Sequence, residues 1–218
     1  MNLPDAVLDA LAVLLPVDCA GCGAADRSLC PSCAVAIVAR PVTRRLDDGT
    51  PVVSALEYDG AVRSAILQLK EHGRTDVARR LAVPLRAALR AAAPRSVQPL
   101  GVPSSRAALR RRGYDPVALL LRGAGVRAPR QLTTTRPSRQ QKSLGAQARA
   151  TNRDGYLRAI HPLTGGRFVL VDDVSTTGAT LLEAARAVRA AGGEVVAAAT
   201  LAHTPRRISH ASEGSLDS

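Results

Sequence analysis

The 218-residue chain reads as an α/β domain preceded by a small cysteine-rich module, and two stretches carry that reading. The first is an apolar, β-branched run at residues 168–171, followed by Asp172 and Asp173. A small-residue loop, Ser175-Thr176-Thr177-Gly178, and a helical pattern over 179–191 come after it. The second is a pair of Cys-x-x-Cys motifs, Cys19/Cys22 and Cys30/Cys33, which together hold all four cysteines.

A strand that hands over to a helix through a small-residue loop is a ligand-binding unit of open α/β sheets. The helix N-terminus presents unpaired N–H groups and a positive dipole end, which suit a phosphate. Threonine hydroxyls and Gly178 let the loop wrap closely around phosphate oxygens. The two carboxylates suit sugar hydroxyls or a metal ion instead. A phosphorylated sugar satisfies both halves.

The cysteine spacing points to metal. Each Cys-x-x-Cys pair can grip one side of an ion, and four thiolates close a tetrahedral structural zinc site with no open position. Redox dithiols or two disulfides would use the same residues, but a cytoplasmic setting opposes disulfides. That setting is expected because nothing basic precedes Arg27, and Asp5 and Asp9 interrupt the early apolar run, unlike a signal peptide. No run approaches the roughly 18 apolar residues of a membrane span.

Composition adds bounds. The apolar share is 46% and the formal charge +12, with a pI near 11.0. Such charge ordinarily suggests a polyanionic partner. Only Lys70 and Lys142 are lysines, however, so 28 basic residues are arginine, a skew that suggests a coding bias. Tyr58, Tyr114, Tyr156 and Phe168 are the only aromatics, which counts against a surface that stacks single-stranded bases.

The remaining elements follow in order. Residues 3–15 read as a short amphipathic helix and 34–40 as another. Asp47-Asp48-Gly49 marks both a module boundary and a hairpin turn before the β-rich run 51–58. Helices are expected over 60–72 and 75–92, the first ending at Gly73. Lys70 and Arg74 there suit either a solvated helix end or an anion. Residues 99–103 form a strand that ends at Ser104-Ser105-Arg106, groups able to hold a pyrophosphate. Pro116 opens a helix with Asp115 as N-cap. Residues 133–152 are polar without an apolar period: Thr133-Thr134-Thr135 can end a strand, 136–142 are too polar for core, so long a loop reads as a lid or as disordered, and 144–153 can include a short helix. A strand is expected over 194–202 and a disordered tail over 204–218.

The thirteen residues from Phe168 to Thr180 resemble the phosphoribosyl-pyrophosphate (PRPP) signature of type I phosphoribosyltransferases. The whole chain resembles the ComF family of zinc-knuckle phosphoribosyltransferase-like proteins. That likeness includes the double Cys-x-x-Cys, Tyr58 and Gly60 ahead of Leu69-Lys70-x-x-Gly73, Val102-Pro103, and Arg112-Gly113-Tyr114. Gln141-x-x-Leu144 with Arg149-x-x-Asn152 completes it.

The resemblance implies a type I phosphoribosyltransferase fold, a mostly parallel sheet flanked by helices with a hood and a mobile loop. It covers about Pro16 to His203, and with the boundary at Asp47-Asp48-Gly49 the expected modules are 1–46 and 47–203. Asp172 and Asp173 would hold the ribose hydroxyls. Val174, Ser175, Thr176, Thr177, Gly178, Ala179 and Thr180 would hold the 5′-phosphate. Ser104, Ser105 and Arg106 would line the pyrophosphate loop, with Arg112 nearby, and Lys70 would precede the hood. Gln141, Arg149 and Asn152 would lie on or beside the mobile loop. Structural zinc and Mg²⁺ with PRPP are the implied ions, and a nitrogenous base the implied acceptor. The rival reading is a protein of DNA uptake and competence that binds PRPP or single-stranded DNA, or partners a helicase-like protein, without catalysis. A homodimer is one expected assembly. Two departures stand out: Glu71 where the family commonly has an aromatic, and Asp115-Pro116 where it commonly has Asn-Gln. An acid beside the pyrophosphate seat is expected to hinder anion binding unless it faces a metal.

Overall fold

The computed structural model describes residues 17–25, 27–94, 96–135 and 155–205. The expected helices at 3–15 and 144–153, the lid at 136–152 and nearly all of the expected tail lie outside those residues.

Five strands build the main sheet: β1 (Val42–Arg45), β2 (Pro51–Glu57), β3 (Gln98–Gly101), β6 (Arg167–Ser175) and β7 (Glu194–His203). Their order is β1-β2-β7-β6-β3. The first pair is the expected antiparallel hairpin, and every other pairing is parallel. A separate antiparallel pair, β4 (Leu132–Thr134) and β5 (Leu157–Ala159), forms a small two-stranded sheet.

A parallel sheet needs cover on both faces, and the alternation along each strand supplies apolar groups to both. Val53, Ala55, Val169, Val171, Ala197 and Ala199 face one apolar cluster. It is shared with α2 (Gly60–Glu71), α3 (Ala78–Ala92) and α5 (Pro116–Gly123). Val52, Leu100, Leu170 and Ala198 face the other, beneath α6 (Ala179–Ala190) and Leu132 and Leu157 of the β4–β5 pair. Cys19, Ala20, Leu29, Cys33 and Ile37 join the first cluster, so the cysteine segment shares the core of the α/β domain.

Three elements differ from the expectations above. The short helix after the second Cys-x-x-Cys is α1 (Pro31–Ala36), earlier than 34–40, because Pro31 supplies a helix start. The strand expected to end at residue 171 continues through both aspartates to Ser175. Asp172, Val174 and Ser175 stay in register with Thr200, Ala202 and His203 of β7. The basic run after Ser105 is a helix, α4 (Arg106–Arg112). Ser105 caps it by accepting from the Ala108 N–H, and Gly113, at φ 77°, ends it in the left-handed region.

Candidate functional site

Asp172 and Asp173 lie on the C-terminal half of β6, and consecutive strand residues point to opposite faces. Asp173 turns toward α2 and is buried, 8% exposed. Lys70, in the last turn of α2, donates from Nζ to Asp173 Oδ1 at 3.0 Å. Burial opposes the lysine charge, yet Asp173 and then Asp172 hold its pKa above the ordinary lysine value. Asp172 lines a different space, a cavity of about 240 Å³ shared with residues 174–181. Burial first, and then the charge of Asp173, push the Asp172 carboxyl up to about 8. The Asp173 backbone N–H, donating to Asp172 Oδ1 at 2.8 Å, opposes the rise.

That cavity is walled by the loop expected to take a phosphate. Thr176 and Thr177 are exposed, and α6 begins at Ala179 with no side-chain cap. Gly178 holds φ 80°, and a Cβ there would come within 2.5 Å of Leu46 Cδ2. Only glycine meets both conditions without strain.

The facing loop follows β3. Val102 N–H donates to the Val171 carbonyl at 2.8 Å, which sets residues 103–105 beside the end of β6. Asp115 is explained here. Its Oδ2 accepts from the Ser104 N–H at 2.9 Å while its Oδ1 accepts from the Ala118 N–H at 3.2 Å. One carboxylate therefore caps α5 and staples the loop. Glu71 also has a structural partner set, accepting from Arg111 at 2.6 Å and Arg112 at 3.2 Å. Tyr114 Oη donates to the Leu69 carbonyl, so the last turn of α2 is tied to the end of α4.

The structure thus brings Lys70, Asp172, Asp173 and the 174–180 loop together, with Ser104 alongside. Arg112 turns to Glu71, and its Nε is buried with no partner among the described residues. Arg106 is exposed on the opposite side of α4, among other arginines. Arg74 pairs with Asp76 and donates to the Asp18 carbonyl at 2.9 Å, so it serves the cysteine segment rather than an anion. Gln141, Arg149 and Asn152 lie outside the described residues. Asp115 caps the helix opened by Pro116 as expected; its bond to Ser104 and the roles of Glu71 and Leu46 were not legible, because each depends on a partner distant in the chain.

The four cysteine Sγ atoms all lie within 4.8 Å of one another. A tetrahedral ion with bonds of about 2.3 Å to sulfur would set S–S edges of about 3.8 Å, and Cys22 and Cys30 already stand at 3.8 Å. Backbone N–H groups of Gly21 and Cys30 donate to Cys19 Sγ at 3.4 and 3.3 Å. Burial alone would raise the Cys19 thiol, but these N–H groups and that of Cys22 outweigh it and lower it to about 6. A donor set of four clustered sulfurs fits a thiophilic ion. Gly21 permits the approach, since a Cβ there would meet Cys33 Sγ at 2.6 Å. Among the described residues no helix is long and apolar enough to cross a membrane.

Residues 107–215 match the family model described as the phosphoribosyl transferase domain. The chain belongs to that family, and its mostly parallel sheet and covering helices have the type I phosphoribosyltransferase architecture. It is similar to the orotate phosphoribosyltransferase of Streptomyces coelicolor, 38% identical over 89 residues, 41% of this chain and 44% of that protein. The Streptomyces avermitilis orotate phosphoribosyltransferase is 36% identical over the same lengths. The match therefore spans less than half the length of these curated relatives. Among solved structures, Mycobacterium tuberculosis H37Rv orotate phosphoribosyltransferase in complex with Fe(III) dicitrate aligns at 24% identity and TM-score 0.37, covering 78% of this chain and 81% of that one. The allosteric regulatory enzyme of purine biosynthesis aligns at 21% and TM-score 0.37, covering 57% and 25%.

Proposed function

We propose that this protein binds PRPP with Mg²⁺ and transfers the phosphoribosyl group to a nitrogenous base. The observation that carries the reading is the pairing of Asp172 with the 174–181 cavity on one face of β6, while Asp173 holds Lys70 on the other. Membership of the phosphoribosyl transferase domain family supports it.

In this reading the ribose hydroxyls lie on Asp172 and Asp173, and the 5′-phosphate on Ser175–Thr180 and the first N–H groups of α6. The bond from C1 to the pyrophosphate oxygen breaks, a bond from C1 to the base nitrogen forms, and that nitrogen loses its proton. The transition state resembles the oxocarbenium ion of other glycosyl transfers. Asp172 and Asp173 would hold Mg²⁺ together with the substrate's phosphates, and the ion would supply charge stabilisation. Lys70, released from Asp173, and the loop residues Ser104 and Ser105 face the leaving pyrophosphate. The clustered cysteines hold structural zinc. The double Cys-x-x-Cys ahead of this domain supports a place among ComF-like proteins, with modules meeting near Asp48, acting in the cytoplasm.

The test is pyrophosphate release from Mg·PRPP across a panel of purine and pyrimidine bases. Release is expected with at least one base and is expected to fall by about 100-fold or more in Lys70→Met, the scale for removing a group that stabilises transition-state charge. PRPP binding without release for any base would overturn transfer and leave a PRPP-binding protein.

A further inference from the structure

The last turn of α2 is held at three consecutive residues, and the middle one is Lys70. The Gln68 carbonyl takes the N–H groups of His72 and Arg74 at 3.2 Å each. The Leu69 carbonyl is among those a helix end leaves without an intrahelical N–H, and it accepts from Tyr114 Oη. Lys70 Nζ donates to Asp173 Oδ1. Glu71 accepts from Arg111 and from Arg112, whose side chain is only 12% exposed. Arg111, Arg112 and Tyr114 fall within four consecutive positions at the end of α4. Glu71 stands where the family that the sequence resembles commonly has an aromatic, so this clamp is not part of that family's pattern.

The other end of α4 reaches the pyrophosphate side. Its N-cap is Ser105, and Asp115, just past its C-terminus, accepts from the Ser104 N–H at 2.9 Å. That bond closes residues 104–115 into a ring, with Ser104 and Ser105 at one corner and Tyr114 at another. A helix inside the ring keeps the corners from drifting apart, so Ser104 and the last turn of α2 are tied through Tyr114 and the two arginines. We propose that Tyr114 and Glu71 are positioning residues for Lys70: they lock its helix turn to the α4 ring, so that the amine meets a leaving pyrophosphate together with Ser104 and Ser105. Neither is a catalytic residue. The Glu71 and Arg111 side chains are 39% and 63% exposed, and exposed ion pairs contribute little to folding. Their effect is on geometry, where an error of about 1 Å can cost about 100-fold in rate. The proposal rests on the phosphoribosyl-transfer reading and adds two residues that reading does not use.

The chain has only two lysines, so isotope labelling of lysine gives two side-chain ammonium signals by NMR, and Lys70→Met assigns them. Asp173→Asn sets the position of the Lys70 signal with its ion pair broken. The test variants are Tyr114→Phe, which removes one hydroxyl and keeps the ring, and Glu71→Gln, which is expected to keep the wild-type melting temperature. In both, without ligand, the Lys70 signal is expected to move toward its position in Asp173→Asn. By calorimetry, Mg·PRPP affinity is expected to fall about tenfold, the scale of one misplaced hydrogen bond to a charged group. Ribose 5-phosphate, which lacks the pyrophosphate, is expected to bind as it does to wild type. In the Lys70→Met background, Tyr114→Phe is expected to cost no further affinity, because it acts through the lysine. A Lys70 signal that stays in its wild-type position in both variants would overturn the proposal. So would equal losses of Mg·PRPP and ribose 5-phosphate binding, or a Tyr114→Phe loss that persists undiminished without Lys70, since either makes the clamp a general support of the fold. Absence of Mg·PRPP binding in wild type would defeat the phosphoribosyl-transfer reading by itself, and the Lys70 signal, read without PRPP, still decides the clamp.

Discussion

Asp172 and Asp173 take different environments from the alternation of β6, and their chemistry differs with them. Asp173 is matched by Lys70, whereas for Asp172 burial and then the Asp173 charge outweigh a backbone N–H and the more distant Lys70 charge, and its carboxyl is pushed up to about 8. A carboxyl whose folded pKa lies above its unfolded value of about 3.9 binds more protons when folded, so stability falls as pH rises between the two. Asp172→Asn removes that ionisation, and the ligand-free variant is expected to melt higher than wild type at pH 8, by a margin that shrinks as pH falls toward about 4. The same residue is needed ionised for a diol or a cation. Wild-type affinity for Mg·PRPP should therefore increase from pH 7 to pH 8.5, by up to about tenfold per unit below the pKa, measured by calorimetry. An unchanged melting temperature in the variant at pH 8 would contradict this assignment of charge. At the same scale, Gly178→Ala places a Cβ against Leu46 at a left-handed φ. The backbone alone costs about 1–2 kcal/mol, so a lower melting temperature and weakened Mg·PRPP binding are expected together.

Beside the buried Leu132 and Leu157, one acid on α6 ties the β4–β5 pair to the sheet layer by hydrogen bonds. Glu183 is 4% exposed, accepts from the Leu157 N–H at 2.9 Å, and pairs with Arg186, which itself donates to the Leu157 carbonyl at 2.9 Å. Burial alone would raise this carboxyl; Arg186 and the backbone N–H groups of Leu157 and Gly155 hold it below the usual glutamate value. Its stabilising contribution is present above the unfolded pKa and is lost as pH falls through the depressed folded one. Glu183→Ala leaves the Leu157 N–H buried without a partner, at a cost of about 1–3 kcal/mol. Denaturant unfolding near pH 7 should show that loss, with a smaller one near pH 3. Hydrogen exchange at Leu157 should report it first. A loss of equal size at both pH values would place the effect in packing rather than in the ionised carboxylate.

Across the whole molecule, long apolar or motif-bearing stretches were legible and cross-chain contacts were not. The strand at 168–171, the helices after Gly60 and Pro116, and the hairpin at Asp48-Gly49 follow from local pattern and turn chemistry, and the structure has all of them. Helix α4 was missed because its seven residues carry four arginines and bury none of them, so no apolar period marks it. The meaning of Asp115 and Glu71 depended on Ser104 and on Arg111 and Arg112, partners that no local window pairs with them. The cysteine cluster was legible as a motif, but its sharing of the main core was not. That sharing has a consequence: metal removal should loosen more than the knuckle. Elemental analysis is expected to give one zinc per chain, and a chelator is expected to lower the melting temperature of the whole protein. Far less than one zinc per chain would refute the metal.

The donor site is probed most directly by calorimetric titration of Mg·PRPP into wild type and into Asp172→Asn/Asp173→Asn. Saturable one-to-one binding by wild type, weakened at least 100-fold in the double variant, is the expected result. No binding by wild type, or equal binding by the double variant, would contradict the assignment of Asp172, Asp173 and the 174–180 loop as a PRPP site.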